Sequence, residues 1–133
     1  MESNKVAIIT GGGRGLGEAT VIDLILQGFK VVCADHNELY IDQVANKINK
    51  EHFSSFLPCK TDVSNRNDVK NMYSKALERF GTIDILINFA GINRDKPFIE
   101  LDDEDWDNVM DVHLKGAFIC CQEFVKCKSK GTA

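Results

Sequence analysis

Thr10-Gly-Gly-Gly-Arg-Gly-Leu-Gly17 is the stretch on which the fold turns. It lies between a short β-branched run, Val6-Ala-Ile-Ile9, and a segment that reads as a helix from near Gly15 to a stop at Gly28. A glycine-rich turn between a strand and a helix lets the chain reverse sharply and come close to a ligand without a Cβ in the way. It also aims backbone N–H groups past the sheet edge, and a helix start of this kind suits a phosphate. The spacing is Gly-x-x-x-Gly-x-Gly, and no three of these glycines make Gly-x-Gly-x-x-Gly. Tight strand-to-helix turns also use glycine for structure alone, so it is the placement after the first strand that favours a nucleotide.

Working outward, further apolar runs occur at Lys30–Ala34, at Ser55–Cys59 and, most strongly, at Ile83–Asn88. Segments of helical period separate them, which is the alternation of an α/β protein with a parallel sheet. Except for the third run, they are apolar nearly throughout, as strands covered on both faces are. Asn37 to Glu51 reads as one helix, with Leu39, Ile41, Val44, Ala45 and Ile48 on its apolar side. Val69, Met72, Tyr73, Ala76, Leu77 and Phe80 mark another, with Ser64 as its expected cap and Gly81 as its stop. A long final helix carries Trp106, Val109, Met110, His113, Leu114, Ala117 and Cys121 on one stripe. The acidic run Glu100–Asp107 at its start could suggest a cation, but carboxylates there and lysines near the end complement the helix dipole.

The 133 residues suffice for one domain, 1–133. With 44% hydrophobic and 27% charged residues the composition is globular, and no apolar run is long enough to span a bilayer. The Met1–Lys5 start lacks the pattern of a signal peptide, so the expectation is a soluble, cytoplasmic protein. Five cysteines (33, 59, 120, 121 and 127) form no Cys-x-x-Cys pair and read as structural or incidental thiols, with no metal site. A net charge of −4 and a pI near 5.3 exclude a nucleic-acid surface, and Lys126, Lys128 and Lys130 are too few to change that.

Asp35 closes the second run, eighteen residues beyond Gly17, where a Rossmann unit places the acid that accepts hydrogen bonds from the adenosine ribose. A carboxylate there repels a 2′-phosphate and favours NAD over NADP, while Arg14 would offer a phosphate some compensation. The alternative is a solvated residue ahead of the next helix.

Taken in order, Thr10-Gly-x-x-x-Gly-x-Gly17, Asp62-Val63, Asn88-Phe-Ala-Gly91 and the Trp106–Gly116 helix resemble the short-chain dehydrogenase/reductase family over essentially the whole chain. The resemblance implies a Rossmann-type doubly wound sheet, strand order 3-2-1-4, and a cofactor crevice where that order reverses. It assigns cofactor contacts to Gly11, Gly12, Gly13, Arg14, Gly15, Leu16 and Gly17 in the turn and to Asp35. Asp62 would take the adenine amino group, Val63 would meet the base, and Asn88, Ala90 and Gly91 would lie near the ribose. The family pattern is usually Asn-Asn-Ala-Gly, from which Phe89 departs. Gly91-Ile-Asn-Arg-Asp95 and the helix after it look most like the reductases of β-ketoacyl thioesters. Family members commonly pair through the long helix, here Asp103 to Lys128, so a homo- or hetero-oligomer is implied.

The family's acid is a tyrosine followed four residues later by lysine, because an unassisted phenol near pKa 10 is a poor acid at neutral pH. Tyr40 is followed by Val44 and Tyr73 by Leu77, so neither fits, and the catalytic residues are unknown. The expectation is the N-terminal part of such an enzyme, truncated and inactive alone; the alternatives are a non-catalytic nucleotide-binding or interaction module, or a nonfunctional remnant. His113 stands where the family has an asparagine, readable as a polar relay or as a histidine bonded to backbone on the buried stripe.

Overall fold

The computed structural model describes residues 4–131. Four strands, β1 (Val6–Thr10), β2 (Lys30–Asp35), β3 (Phe56–Lys60) and β4 (Ile85–Asn88), form one parallel sheet in the order β3-β2-β1-β4. Five helices accompany them: α1 (Gly15–Leu26), α2 (Glu38–Lys47), α3 (Arg66–Phe80), α4 (Asp103–Met110) and α5 (Gly116–Gly131). Side chains alternate across a strand, so β1 and β2 feed two cores. Ile9, Val31 and Cys33 pack with Val21 and Ile25 of α1 and Ile41 and Val44 of α2. On the other face Ile8 and Val32 pack with Val69, Met72 and Tyr73 of α3 and Ile119 and Cys120 of α5. This is the α/β, doubly wound 3-2-1-4 arrangement that the sequence implied.

Gly28 and Gly81 stand at φ +93° and +81°, so the expected helix stops are real. The second helix is shorter than expected. It ends at Lys47 because Ile48 turns extended and inserts into the core, and a 3-10 turn occupies Lys50–Ser55. Leu39, expected on its apolar side, is 70% exposed. The cap of α3 is Asn65, whose side chain accepts the Asp68 N–H; Ser64 instead donates to Asp62 Oδ1 at 2.6 Å. At the sheet edge, Ile85, Leu86 and Ile87 of β4 are only half-buried.

The largest correction concerns the last helix. A π turn over Asp111–Lys115 divides it, and the added residue rotates α5 by about 100° relative to an unbroken helix. The inward residues are therefore Asp105, Gly116, Ile119, Cys120 and Glu123, whereas Trp106, Leu114 and Cys121 of the expected stripe face solvent. Two of the inward residues are acids, which hid this face from a hydrophobicity pattern. Glu123 takes hydrogen bonds from Arg66 at 3.2 Å and Lys126 at 3.0 Å. Burial works to raise its carboxyl, but the Lys126 hydrogen bond and the surrounding cations prevail and hold it below the usual range. The acidic start of α4 serves the helix itself: Asp102 and Asp105 form a reciprocal capping box. No group of three His, Cys, Asp or Glu side chains among the described residues could hold a metal, and no helix among them is long and apolar enough to cross a membrane.

The packing of α3 against α5 can be tested by stability measurements. The Tyr73 hydroxyl donates to the Cys120 carbonyl at 2.8 Å, tying the two helices together. Tyr73→Phe is expected to lower the unfolding free energy by about 0.5–1.5 kcal/mol in urea titration. Because Glu123 is more acidic folded than unfolded, its contribution is complete above about pH 5 and fades as pH falls through the folded value. Glu123→Gln should accordingly flatten the loss of thermal stability seen on acidification below about pH 5; an unchanged slope would argue that the ion pairs contribute nothing.

Candidate dinucleotide site

The turn between β1 and α1 is fastened to the end of β2. Gly12 N donates to the Ala34 carbonyl at 3.0 Å, and Gly13 N donates to Asp35 Oδ2 at 3.0 Å. Asp35 is buried, and its Oδ1 accepts from Asn37 N at 2.9 Å with His36 Nδ1 at 3.4 Å. Beneath the turn Cys33 is buried, and desolvation together with the Asp35 charge pushes its thiol up to about 12, so it is an inert filler. Gly17 lies against the Gly11 carbonyl so closely that a Cβ would collide with it. This folds the turn back on the start of α1.

An α-helix leaves its first N–H groups without partners inside the helix. Bonding within α1 begins with Glu18 N donating to Arg14 O, so the amides of Gly15, Leu16 and Gly17 lie at its open end. All three residues line a cleft of about 760 Å³ above the carboxyl ends of the strands, together with Gly11, Arg14 and Asp35. Gly15 sits at φ +58° with open space where a Cβ would be. Arg14 lies over the Tyr40 ring, 5.2 Å from its centroid, and points a nitrogen at the Tyr40 hydroxyl 3.4 Å away.

Asp62, Val63, Ala90 and Gly91 complete the set of expected residues on this cleft. Three expected residues do not join it. The amides of Gly12 and Gly13 are committed to β2 and its terminal acid, which corrects the expectation that the whole turn faces a phosphate. Asn88 lines a smaller cavity of about 240 Å³ behind the wall, with its Nδ2 3.6 Å from Cys121 Sγ. Nine further residues line the cleft that were not expected there. His36, Thr61, Ser64 and Phe89 adjoin expected residues, so neighbourhood was the available signal; Ile92, Arg94, Asn108, Asp111 and Val112 are brought in by the return of the chain after β4.

The wall after β4 is tied down along its length. Ala90 N donates to Thr10 Oγ1 at 3.2 Å, Ile92 meets His113, and Lys96 donates to Asp105 Oδ2 at 2.7 Å. That last bond, above all, holds the Asp105 carboxyl below its usual value and raises the Lys96 ammonium. His113 is bonded to backbone, as one reading of it held, but it is exposed.

The sequence profile described as short chain dehydrogenase matches residues 5–133. The chain belongs to this family. Relatives among the short chain dehydrogenases include the 3-oxoacyl-[acyl-carrier-protein] reductase FabG of Thermotoga maritima, 34% identical over 126 residues, 91% of this chain and 49% of that protein. A short chain dehydrogenase of Bacillus anthracis superposes with a TM-score of 0.87 at 32% identity, covering 92% of this chain and 49% of the other. The 3-ketoacyl-(acyl-carrier-protein) reductase of Brucella melitensis, solved with NADH, gives 0.84 at 31% identity, with 92% and 50% covered. The chain thus spans about half the length of the curated relatives it matches. The likeness to β-ketoacyl thioester reductases seen in the sequence agrees with these matches.

Because the Gly17 contact is to backbone, which cannot swing aside, Gly17→Ala should force the turn open. An unfolding cost of about 1–3 kcal/mol by thermal denaturation is expected, with the larger loss in any ligand bound at the helix start.

Proposed function

We propose that this chain is the cofactor-holding part of an NAD(P)-dependent short-chain oxidoreductase acting on ketones or alcohols, with β-ketoacyl thioesters as the substrate class and NAD as the preferred cofactor. One observation carries the reading: Gly15, Leu16 and Gly17 at the open start of α1 and the buried Asp35 at the end of β2 line the same cleft. Its size lies within the roughly 300–1,000 Å³ of small-molecule and cofactor sites. The relative solved with NADH supports the cofactor class.

Gly15, Leu16 and Gly17 would hold a diphosphate through their N–H groups, aided by the positive end of α1. A carboxylate offers about four acceptor positions, and the backbone of Gly13 and Asn37 takes two from Asp35. The remainder suits ribose hydroxyls, and the negative charge opposes a 2′-phosphate. Asp62 and Val63 would receive the adenine, and Ala90 and Gly91 would flank the sugar. When bound, the nicotinamide supplies or accepts hydride. This chain contributes binding and orientation to that step, and among the described residues neither tyrosine stands free as the family's proton donor. The Tyr73 phenol is buried on Cys120 and pushed above its usual value by desolvation, and Tyr40 lies under Arg14. The cysteines of the described residues form no disulfide, which suits a reducing, cytoplasmic setting.

A second reading, a module that pairs with another chain, draws on the outer face of α4 and α5. Trp106, Leu114, Phe118 and Val125 are all more than half exposed along it, a larger apolar strip than a free surface usually carries. Its start bears Asp103, Glu104 and Asp107 and its end Lys126 and Lys128, so two copies laid antiparallel bring opposite charges together.

Calorimetric titration of the 133-residue chain should give an NAD dissociation constant between about a micromolar and a few millimolar, weaker for NADP. Asp35→Asn should weaken NAD about tenfold and narrow the gap to NADP, with no turnover of β-ketoacyl thioesters by either protein. A flat titration with folded protein would overturn the cofactor assignment, and a measurable rate the division of labour. For the second reading, sedimentation should show a dimer that Leu114→Glu with Phe118→Glu converts to monomer; a monomeric parent at tens of micromolar, roughly the range of a weak interface, rejects it.

A further inference from the structure

We infer that His113 is a positioning residue for the cleft, one that holds the Ile92 backbone through a single ring nitrogen and lets the proton on that nitrogen choose whether the Ile92 N–H or the Ile92 carbonyl is held. Three features of the structure converge on it. The π turn over Asp111–Lys115, closed by Gly116 N donating to Asp111 O, presents the residue toward the wall after β4. His113 Nε2 then lies 3.0 Å from Ile92 N and 2.8 Å from Ile92 O. Gly91 packs flat under the ring, where a Cβ would strike it.

Gly91 and Ile92 line the dinucleotide cleft, whereas His113 lines the smaller cavity behind them. The ring therefore acts on a ligand only through the wall. It stands between the Ala90 bond to Thr10 and the Asp105 anchor, which holds Lys96 at 2.7 Å and Arg94 at 3.7 Å. Losing it leaves the stretch from Gly91 to Asn93 strung between end points.

The chemistry of imidazole makes the tether conditional. A ring nitrogen carries either a proton, and donates to the Ile92 carbonyl, or a lone pair, and accepts the Ile92 N–H; it cannot do both. The two distances are close enough that neither tautomer is disfavoured by geometry. A carboxamide in the same place has a donor and an acceptor side by side and could take the Ile92 N–H and the Ile92 carbonyl at once. Imidazole instead leaves one of the two groups to solvent at any moment, so the wall is held by a bond that a proton shift exchanges.

The effect on ligand binding rests on the dinucleotide reading of the cleft; the hold on Ile92 does not. The experiment therefore reads both, in the 133-residue chain labelled with 15N. Without ligand, the His113 ring nitrogens should show shifts of a mixed tautomer population, and the Ile92 amide should show partial protection from hydrogen exchange. His113→Ala should speed that exchange about fivefold or more while leaving Ile8 in β1 unchanged, and His113→Asn should restore or exceed the original protection. With NAD, His113→Ala should weaken binding about three- to tenfold, and His113→Asn should return it to within about twofold. A ring locked in one tautomer, an Ile92 amide indifferent to His113→Ala, or an asparagine variant no better than alanine would each overturn the inference. If exchange responds as described and NAD fails to bind even the parent, the hold on Ile92 stands and the cofactor assignment falls.

Discussion

The pairing of Gly13 N with the Asp35 carboxylate is the interaction on which the rest of the site depends. A hydrogen bond to a charged acceptor is about twice as strong as a neutral one, and this acceptor is buried where water competes little. With Gly12 N on the Ala34 carbonyl, it clips the glycine turn to the end of the neighbouring strand. Two amides are used in this way, and the amides of Gly15, Leu16 and Gly17 are left at the mouth of α1. The acid proposed to read the ribose is thus the same group that sets where the amides proposed to hold a diphosphate stand, so altering Asp35 would disturb both ends of the cleft together.

Beyond the turn, the site is assembled from pieces that reach it by different routes. The strand ends bring Asp35 and Thr61 to one level, and the parallel register β3-β2-β1-β4 aligns them. The opposite wall has no such scaffold. It is a stretch of coil from Phe89 to Pro97 held by side chains: Thr10 at one end, Asp105 at the other and His113 between. Two of those three belong to the segment divided by the π turn. The irregularity in that helix therefore has a use, since it sets Val112 on the cleft and His113 on the peptide behind it.

The same division gives α5 two apolar faces. One meets α3 and β4 through Ile119 and Cys120, and the other carries Phe118 and Val125 outward. Glu123 sits on the inner face because Arg66 and Lys126 neutralise it, at a desolvation cost that an unpaired carboxylate would not bear. The edge strand β4 is likewise half-covered, so both α5 and β4 leave apolar surface exposed.

The sequence by itself determined the alternating strands and helices, the two helix stops at Gly28 and Gly81, and the glycine turn with its acid at the end of β2. Those features come from local chemistry: β-branched runs, glycines at left-handed positions, and an acid at a set distance from a glycine turn. The strand order and the cleft residues after β3 and β4 rested on the family resemblance. What only the tertiary structure decided is which groups were already engaged. Gly12 and Gly13 look in the sequence like any other glycines of the turn, and the strand beside them is what takes their amides. The inward faces of α4 and α5 were hidden because periodicity assumes an unbroken helix and apolar burial, whereas a π turn shifted the register and ion pairs buried one acid on each, Asp105 and Glu123. Ile92, Arg94, Asn108 and Asp111 reach the cleft by long-range packing, and no local pattern records that.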